Sequence, residues 1–357
     1  MPTTYDIMHF EALGAEAQHL VEETERAKAA GLLPADLRYV VTPLNLQEYL
    51  AEHPETVLPD ILTTKTHSVP PEDYLSSSRK SIITRSTGYD HYEGIQSRAN
   101  IASLRRYCVG SVAQTAIKFM YAAAGLLNQY TANTADFERN RNESFMELCK
   151  DRTATVFGVG NIGRQIYDLA EANGLRVQAV DVRQEALQAQ YGPGAVHFVS
   201  PEEAVETSDI LFCGMNLTRD PASPYCNVGY FSEGLLRKAK KGVLFINVTR
   251  GEIAPESVLL KLYREGQIGG IGLDVFSEES ALSDALRGHA GRTDADIEAA
   301  RELIRMAEDR SANVYVQPHQ AFNSDRAAAD KAHDTIGHVI YWYQHGKKGF
   351  AEQLPYY

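Results

Sequence analysis

The chain contains the segment Thr155-Val156-Phe157-Gly158-Val159-Gly160-Asn161-Ile162-Gly163-Arg164, and Asp181 follows eighteen residues after Gly163. An apolar, β-branched strand leads into the glycines, a helical pattern follows them, and a second apolar strand ends in the carboxylate. This order is typical of dinucleotide-binding units. The first glycine allows a tight turn, the second lets a pyrophosphate approach the backbone, and the third lets the helix pack closely on the strand.

Asp181 indicates which dinucleotide binds. Spaced glycines alone are weak evidence, because they also serve close packing between a strand and a helix. An aspartate at the end of the second strand accepts hydrogen bonds from a free ribose 2′-hydroxyl and repels a 2′-phosphate, which favours NAD over NADP. Arg183, two residues later, weakens that preference unless it is a solvated charge at a helix start. The cofactor-binding residues predicted from this segment are Gly158, Gly160, Asn161, Ile162, Gly163 and Asp181.

Length and charge limit the function classes. A chain of 357 residues predicts about two domains, and its 44% hydrophobic and 23% charged content is ordinary for a globular protein. The formal net charge of −12, without a run of Lys and Arg, argues against nucleic acid as a partner. An anionic substrate must therefore be held by particular arginines and by oriented N–H groups.

The cysteines and the N-terminal sequence indicate the compartment. The N-terminus lacks a basic region followed by an apolar one, and no apolar run reaches the roughly eighteen residues that span a bilayer. Cys108, Cys149, Cys213 and Cys226 are scattered without metal-ligand spacing, so reduced thiols are expected. We therefore expect a cytoplasmic protein without a metal site, a membrane segment or a disulfide framework.

Short apolar segments alternate with helical patterns along most of the chain. The expected strands span 37–42, 61–65, 80–85, 176–182, 196–199, 210–213, 243–248, 271–275 and 314–316, and the expected helices include 46–53, 111–127 and 324–345. This alternation predicts an α/β fold with doubly wound parallel sheets. Two polar segments, 219–227 and 280–312, read as inserted loops or surface helices, either lids over a ligand crevice or plain surface excursions.

Four further motifs appear in a fixed order around the glycine segment. They are Thr84-Arg85-Ser86-Thr87-Gly88-Tyr89-Asp90-His91, Ile246-Asn247-Val248-Thr249-Arg250-Gly251-Glu252, Gly272-Leu273-Asp274-Val275-Phe276 and Val316-Gln317-Pro318-His319. Together with the glycines, they resemble the D-isomer-specific 2-hydroxyacid dehydrogenases over nearly all of the chain beyond about residue 60. The first motif looks most similar to the D-lactate and D-2-hydroxyisocaproate dehydrogenase branch.

The resemblance implies a domain arrangement. It implies two Rossmann-like domains with doubly wound parallel sheets and an active site in the cleft between them. Residues 1–110 and 320–357 would form a discontinuous substrate domain, and residues 111–319 would form the NAD-binding domain. A homodimer, formed through the cofactor domain and the helix after Ser111, is a family expectation.

Reduction of a 2-oxo acid needs a cation for the carboxylate and carbonyl and a proton donor for the forming alkoxide. Arg250 follows an apolar strand, where ligands bind in open α/β sheets, and matches the family's cation, although an isolated arginine there is more often structural. His319, alone among eleven histidines at a Pro-His step after a strand, matches the acid/base residue. Glu279 matches a buried carboxylate that raises the histidine pKa and fixes its tautomer, with Glu278 as a solvated neighbour.

The resemblance also assigns supporting residues. Asp274 and Thr249 are predicted to contact the cofactor, with a structural role at a strand end as the alternative for Asp274. The predicted substrate-binding residues are Thr87, Gly88, Tyr89 and Tyr107. Where the family commonly has His-Val-Pro this chain has Gly214-Met215-Asn216, and Ser280 replaces the proline after the catalytic glutamate. These departures leave the shape of the nicotinamide and substrate pocket open.

The predicted function is an NAD-dependent D-2-hydroxyacid dehydrogenase acting on a small 2-oxo or 2-hydroxy acid, with pyruvate and D-lactate as the first pair to test. The nearest alternative is a glyoxylate or hydroxypyruvate reductase of the same family. A non-catalytic, NAD-sensing protein resembling the related corepressors is the alternative from another class. Formate dehydrogenases pair their histidine with a glutamine, so Glu279 argues against that activity.

Overall fold

A computed structural model describes residues 4–92, 94–140, 144–289, 291–292, 294–310 and 312–356. The chain divides into two compact units, Met1–Cys108 with Asn323–Tyr357 and Val109–Phe322. The divisions fall two and three residues from the expected ones. The first boundary differs because a helix begins at Val109. The second differs because the backbone N–H groups of Gln320 and Ala321 donate hydrogen bonds to Asp274 of the second unit.

The elements alternate as the sequence predicts. The strands are β1 Ile7–His9, β2 Tyr39–Val41, β3 Ile61–Thr64, β4 Lys80–Thr84, β5 Ala99–Ser103, β6 Thr153–Phe157, β7 Arg176–Val180, β8 Ile210–Cys213, β9 Val243–Asn247, β10 Ile268–Leu273 and β11 Val314–Val316. The α-helices are α1 Gly14–Ala29, α2 Leu46–Glu52, α3 Glu72–Ser77, α4 Val109–Ala124, α5 Leu127–Ala132, α6 Asn161–Ala172, α7 Gln184–Tyr191, α8 Pro201–Thr207, α9 Glu233–Leu236, α10 Glu256–Arg264, α11 Glu279–Leu286, α12 Ala295–Glu308 and α13 Ala327–Gln344.

The first unit is built on a parallel sheet with the order β2-β1-β3-β4-β5. Successive side chains point to opposite faces of a strand. One face therefore packs its apolar residues, such as Ile7 and Ile83, with Trp342 of α13, whereas the other packs Met8 and its neighbours with Leu46 of α2. The chain thus returns after the second unit to complete the core of the first.

Strand β1 and helix α1 were not predicted from the sequence, because neither carries a strong pattern. The strand is three residues long, and the helix buries only four residues, Glu16, Leu20, Thr24 and Ala27. Two of those four are polar, so α1 lacks the apolar stripe by which an amphipathic helix is recognised.

The second unit has a parallel sheet with the order β11-β10-β9-β8-β6-β7. The expected strand at 196–199 is wrong: only Phe198 forms an isolated bridge, to Ala179 on the outer side of β7. Strand β10 starts at Ile268 rather than at the predicted residue 271. Its first residues were not predicted because Gly269 and Gly270 interrupt the apolar pattern. Together the two sheets confirm two parallel-sheet α/β domains.

The two polar segments differ from each other. Residues 219–227 contain turns and no regular element, and Arg219 forms an ion pair with Glu252. The reading of 280–312 as a surface insertion is wrong for α12, which buries Ile297, Ala300 and Leu303 in the main core. Residues 290, 293 and 311 of that segment lie outside the described residues. Across the described ranges, no helix combines the length and apolar character required to cross a membrane.

Candidate active site

The sequence-predicted residues of the second unit follow the carboxyl ends of its strands. β6 and β8 are neighbours in the sheet, and each is followed by a glycine, Gly158 and Gly214. A Cβ at Gly214 would lie 2.7 Å from the carbonyl oxygen of Gly158, so the two loops are in contact. The strand order switches here, because β7 lies on one side of β6 and β8 lies on the other. The carboxyl ends of the strands at such a switch point form the usual ligand crevice of open α/β folds.

The glycine turn has the geometry that a dinucleotide requires. Gly158 has φ +84°, a conformation that favours glycine, and a Cβ at Gly163 would lie 1.7 Å from the Gly158 carbonyl oxygen. By contrast, the Cβ position of Gly160 is open, with only Arg183 Nη2 nearby at 3.8 Å. Asn161 starts the twelve-residue helix α6 directly after it, and Ile162 lies in the same first turn. The turn therefore leaves room for a pyrophosphate at a helix N-terminus.

Asp181 lies beside this turn. Its Oδ2 accepts a hydrogen bond from the Val159 N–H at 2.9 Å, and its Oδ1 accepts one from the Arg183 N–H at 2.8 Å. The Arg183 guanidinium also approaches Oδ1, with Nε at 3.6 Å. Arg183 thus lies at the start of α7, the position considered from the sequence, and its partly exposed charge is paired with that of Asp181. The carboxylate retains acceptor capacity for a ribose hydroxyl.

Arg250 is held by the end of β9. The Asn247 side chain accepts from the Thr249 N–H at 3.1 Å and donates to the Arg250 carbonyl at 2.8 Å. The Thr249 hydroxyl lies 3.3 Å from Cys213 Sγ at the end of β8. Asn247 was not predicted as a site residue, although a polar residue at the end of an apolar strand is a signal that could have identified it.

His319 and Glu279 meet. His319 Nδ1 lies 2.9 Å from Glu279 Oε2, although the two residues are forty positions apart. The pair is partly open, since their side chains are 39% and 43% exposed. The expectation that Glu279 is buried is therefore wrong, because the residue begins α11 at the surface. Glu278 precedes the helix at φ +48° and is also exposed.

Asp274 anchors the turn that carries His319. Its carboxylate accepts hydrogen bonds from Gln317 Nε2 at 2.7 Å and from the N–H groups of Gln320 and Ala321 at 2.8 and 3.0 Å. Its carbonyl accepts from the His319 N–H at 2.6 Å, and His319 has φ +50°. Burial raises the pKa of Asp274 although these donors act to lower it. These bonds favour the structural alternative over direct contact with the cofactor.

The four predicted substrate residues lie in the first unit. Thr87 Oγ1 donates to the Leu104 carbonyl at 3.0 Å and lies 3.0 Å from Cys108 Sγ. Gly88 accepts from the Ser86 hydroxyl through its carbonyl at 2.6 Å, and Tyr89 packs edge-on against Tyr356. The structure thus places these three residues in one turn after β4.

Tyr107 follows β5 of the same sheet. Burial, followed by the effect of Cys108, raises its pKa well above the ordinary value of 10.0, so the hydroxyl stays protonated. Lys331 Nζ lies 4.9 Å from the centre of its ring. Lys331, which is buried on α13, was not predicted from the sequence.

Within the described ranges, no group of His, Cys, Asp or Glu side chains could hold a metal ion, and the four cysteines are free thiols.

Comparison with known proteins decides the family. The model of the D-isomer specific 2-hydroxyacid dehydrogenase NAD-binding domain matches residues 117–321, more than half of the chain. The chain belongs to the D-isomer specific 2-hydroxyacid dehydrogenase family. This confirms the resemblance and NAD as the cofactor of the domain that carries the glycine turn.

Members of the family with curated names match parts of the chain. A glyoxylate reductase from Korarchaeum cryptofilum is 33% identical over 134 residues, 37% of this chain and 38% of that protein. A glycerate dehydrogenase from Methylorubrum extorquens is 26% identical over 210 residues, 56% of this chain and 62% of that protein. The chain therefore spans less than two thirds of the length of either relative.

The solved structure of an Aquifex aeolicus D-lactate dehydrogenase, complexed with NAD and lactic acid, superimposes with a TM-score of 0.74. The two sequences are 20% identical, and the superposition covers 96% of both chains. At this identity the likeness shows a shared fold.

The residues present fit the family's cofactor. The open position at Gly160, the start of α6 and the Asp181 carboxylate are suited to the pyrophosphate and ribose of NAD. Gly214, where the family commonly has histidine, touches Gly158 at a distance that leaves no space for a side chain. That departure is therefore explained by close packing of the two loops.

Proposed function

We propose that the protein is an NAD-dependent dehydrogenase that interconverts a 2-oxo acid and its D-2-hydroxy acid. The observation that carries the proposal is the His319–Glu279 contact of 2.9 Å in the unit that holds the glycine turn and Arg250. An imidazole fixed by a carboxylate through one nitrogen presents its other nitrogen for proton transfer.

Each residue of this group has a distinct task. Arg250 can bind the carboxylate and carbonyl oxygens of the substrate, since a guanidinium presents a planar set of donors. His319 Nε2 donates a proton to the forming alkoxide and, in the reverse direction, accepts it from the hydroxyl. Glu279 holds Nδ1 and stabilises the imidazolium. NADH, when bound, supplies the hydride.

In the first unit, we propose that the N–H groups of Thr87, Gly88 and Tyr89 bind the substrate carboxylate. Oriented backbone N–H groups in a turn form an anion-binding concavity. Tyr107 would contribute its hydroxyl as a donor, consistent with the raised pKa that keeps it protonated. Tyr107→Phe should raise KM more than it changes kcat if the hydroxyl contributes to substrate binding.

The test is NADH oxidation with pyruvate, 2-oxobutyrate, 2-oxoisocaproate, phenylpyruvate, glyoxylate and hydroxypyruvate, with NADPH as a control. We expect turnover of at least one acid, and we expect His319→Ala to lower kcat by about 10²- to 10⁴-fold. His289→Ala is the matched control, because His289 also lies beside an acid, Asp284, at 3.4 Å. Glu279→Gln should be impaired and Glu278→Gln should not.

If no acid of the panel is reduced, the proposed activity is wrong for these substrates, and tight NADH binding without turnover would support the sensing role instead. The curated relatives favour one alternative within the family, a reductase of glyoxylate or hydroxypyruvate. The ranking of kcat/KM across the panel separates it from a lactate-type enzyme.

We also propose that the protein is a homodimer. Large hydrophobic side chains are exposed on α4, on α5 and in the segment that follows: Tyr121, Leu127, Tyr130, Phe137 and Phe145. Tyr130 packs edge-on against Phe145 in this region, and contiguous exposed apolar side chains are typical of interaction surfaces. Light scattering of the purified protein should give twice the chain mass of 39.5 kDa, and a monomer would refute the proposal.

A further inference from the structure

The second unit contains a buried carboxyl group in addition to the proposed catalytic residues Arg250, Glu279 and His319. Glu256, in the first turn of α10, is only 1% exposed. Its Oε1 accepts a hydrogen bond from the Ser277 N–H at 2.7 Å, whereas its Oε2 has no hydrogen-bond partner among the described residues. An unsatisfied buried oxygen is costly, so a residue of this kind needs an explanation.

Ser277 belongs to the segment that presents Glu279. The Phe276 N–H points to Glu279 Oε1 at 3.3 Å, and Glu279 Oε2 in turn contacts His319. The hydrogen bond that Ser277 donates to Glu256 thus holds the backbone between the end of β10 and Glu279, whose carboxylate contacts His319.

The same segment touches the backbone next to Arg250. A Cβ at Gly251 would lie 2.0 Å from the Phe276 carbonyl carbon and 2.1 Å from the Ser277 nitrogen. Close packing transmits a displacement, because protein interiors have little free volume. A shift of residues 276–278 would therefore displace both Arg250 and Glu279.

We propose that Glu256 is a positioning residue for the Arg250–Glu279–His319 group, its buried carboxyl holding the 276–278 segment through the Ser277 N–H, more firmly when ionised than when protonated. The inference rests on the proposed function for its effect on catalysis. The effect on the segment itself does not depend on that function.

The charge state matters because a carboxylate accepts a stronger hydrogen bond than a neutral carboxyl group. Burial raises the pKa of Glu256 to about 7, the Ser277 groups act to lower it, and Asp296 at the start of α12 acts to raise it. Protonation would therefore weaken the bond to Ser277 within the neutral range of pH.

Reduction of a 2-oxo acid needs a proton from His319, so this residue does not explain a loss of rate as the pH falls. Loss of the Glu256 charge instead lowers the rate on the acid side. We expect wild-type kcat to fall about three- to tenfold from the neutral plateau into acid, the range by which charged and neutral hydrogen bonds differ.

The experiment compares wild type with Glu256→Gln, which keeps an oxygen for the Ser277 N–H and cannot ionise. Its kcat should lack the acid-side step, while its NADH affinity stays at the wild-type value. Asp296→Asn should move the wild-type step to lower pH, and Glu298→Gln, an exposed acid on the same helix, should leave it in place. Identical acid-side profiles of wild type and Glu256→Gln would overturn the role in catalysis.

Hydrogen exchange of a peptide covering residues 274–282 tests the positioning step without turnover. At pH 8 the peptide should exchange faster in Glu256→Gln than in wild type, and at pH 5.5 the two should exchange alike, with both pH values chosen to bracket a pKa of about 7. Equal exchange at both pH values would overturn the proposal. If wild type reduces no 2-oxo acid, the proposed function fails, and the exchange result still decides whether Glu256 holds the segment.

Discussion

Removing the charge of Glu16 should strongly destabilise the first unit. Three cations face this carboxylate: Arg85 Nε at 2.8 Å from Oε1, and Lys65 Nζ and Lys331 Nζ at 2.6 and 3.8 Å from Oε2. The side chain of Arg85 is fully buried and that of Glu16 is 8% exposed. Glu16→Gln keeps the shape and leaves a buried guanidinium without its counter-ion.

The size of the effect follows from burial. Breaking a buried ion pair by removing one partner costs about 3–5 kcal/mol, because the remaining charge is desolvated and uncompensated. The upper half of that range, about 4 kcal/mol, is expected here, since Arg85 has no access to water and two lysines add repulsion. The same arithmetic predicts less than about 0.5 kcal/mol for Glu22→Gln, an exposed acid on the same helix.

The assay is urea denaturation followed by tryptophan fluorescence. Trp342 is the single tryptophan, it is buried in the first unit, and its Nε1 donates to Ser81 Oγ at 2.8 Å. Its emission therefore reports unfolding of that unit alone. A free energy of unfolding for Glu16→Gln within about 1 kcal/mol of wild type would contradict the assignment of a buried ion pair, because this is the range of exposed ion pairs.

Acid should diminish the difference between the two proteins. Although burial raises it, the charges of Arg85, Lys331 and Lys65 hold the pKa of Glu16 below its ordinary value of 4.5. A carboxylate with a lowered pKa stabilises the fold above the pKa of the unfolded chain, and this contribution is lost as pH falls through the folded value. Titration below about pH 4.5 should therefore bring wild type towards Glu16→Gln.

Three further predictions concern the second unit. Gly163→Ala should abolish NADH binding measured by fluorescence, because its Cβ would lie 1.7 Å from a backbone oxygen, whereas Gly337→Ala, with no atom within 4 Å, should be tolerated. Glu256→Gln should gain global stability over wild type as pH rises from 4.5 to about 7, by up to about 3 kcal/mol in denaturant titrations, because unfolding returns the buried acid to water, an effect separate from its local bond to Ser277. A maleimide should label exposed Cys226 in the native protein and spare buried Cys213, as read by mass spectrometry of peptides; equal labelling would contradict the assigned burial.

Some elements were predictable because they obey one local rule. Strands β8 and β11 coincide with the predicted segments, since both are short apolar runs in a parallel sheet, although only Val314 of β11 is fully buried. The glycine turn was also readable, because its constraints act between residues a few positions apart. By contrast, Val196 to Val199 has the composition of a strand, but the chain makes only one bridge there.

Other features depend on contacts that a single sequence does not display. The many charged residues of α12 suggested a surface helix, yet its apolar stripe is part of the main core. The partnership of Glu279 with His319 came from resemblance to a family, not from spacing. Neither the bonds of Asp274 to residues 320–321 nor the burial of Glu256 follows from composition, because both depend on how distant segments pack.

The return of α13 to the first unit has a consequence for biosynthesis. A ribosome releases β1 to β5 first, but Trp342 and Lys331, which complete the core and the ion cluster of that unit, emerge after the whole of the second unit. The second unit, which is contiguous in sequence, can therefore fold before α13 of the first unit has been synthesised. Until then the apolar strand faces of the first unit stay exposed. We therefore expect chaperones to bind the nascent chain during this interval.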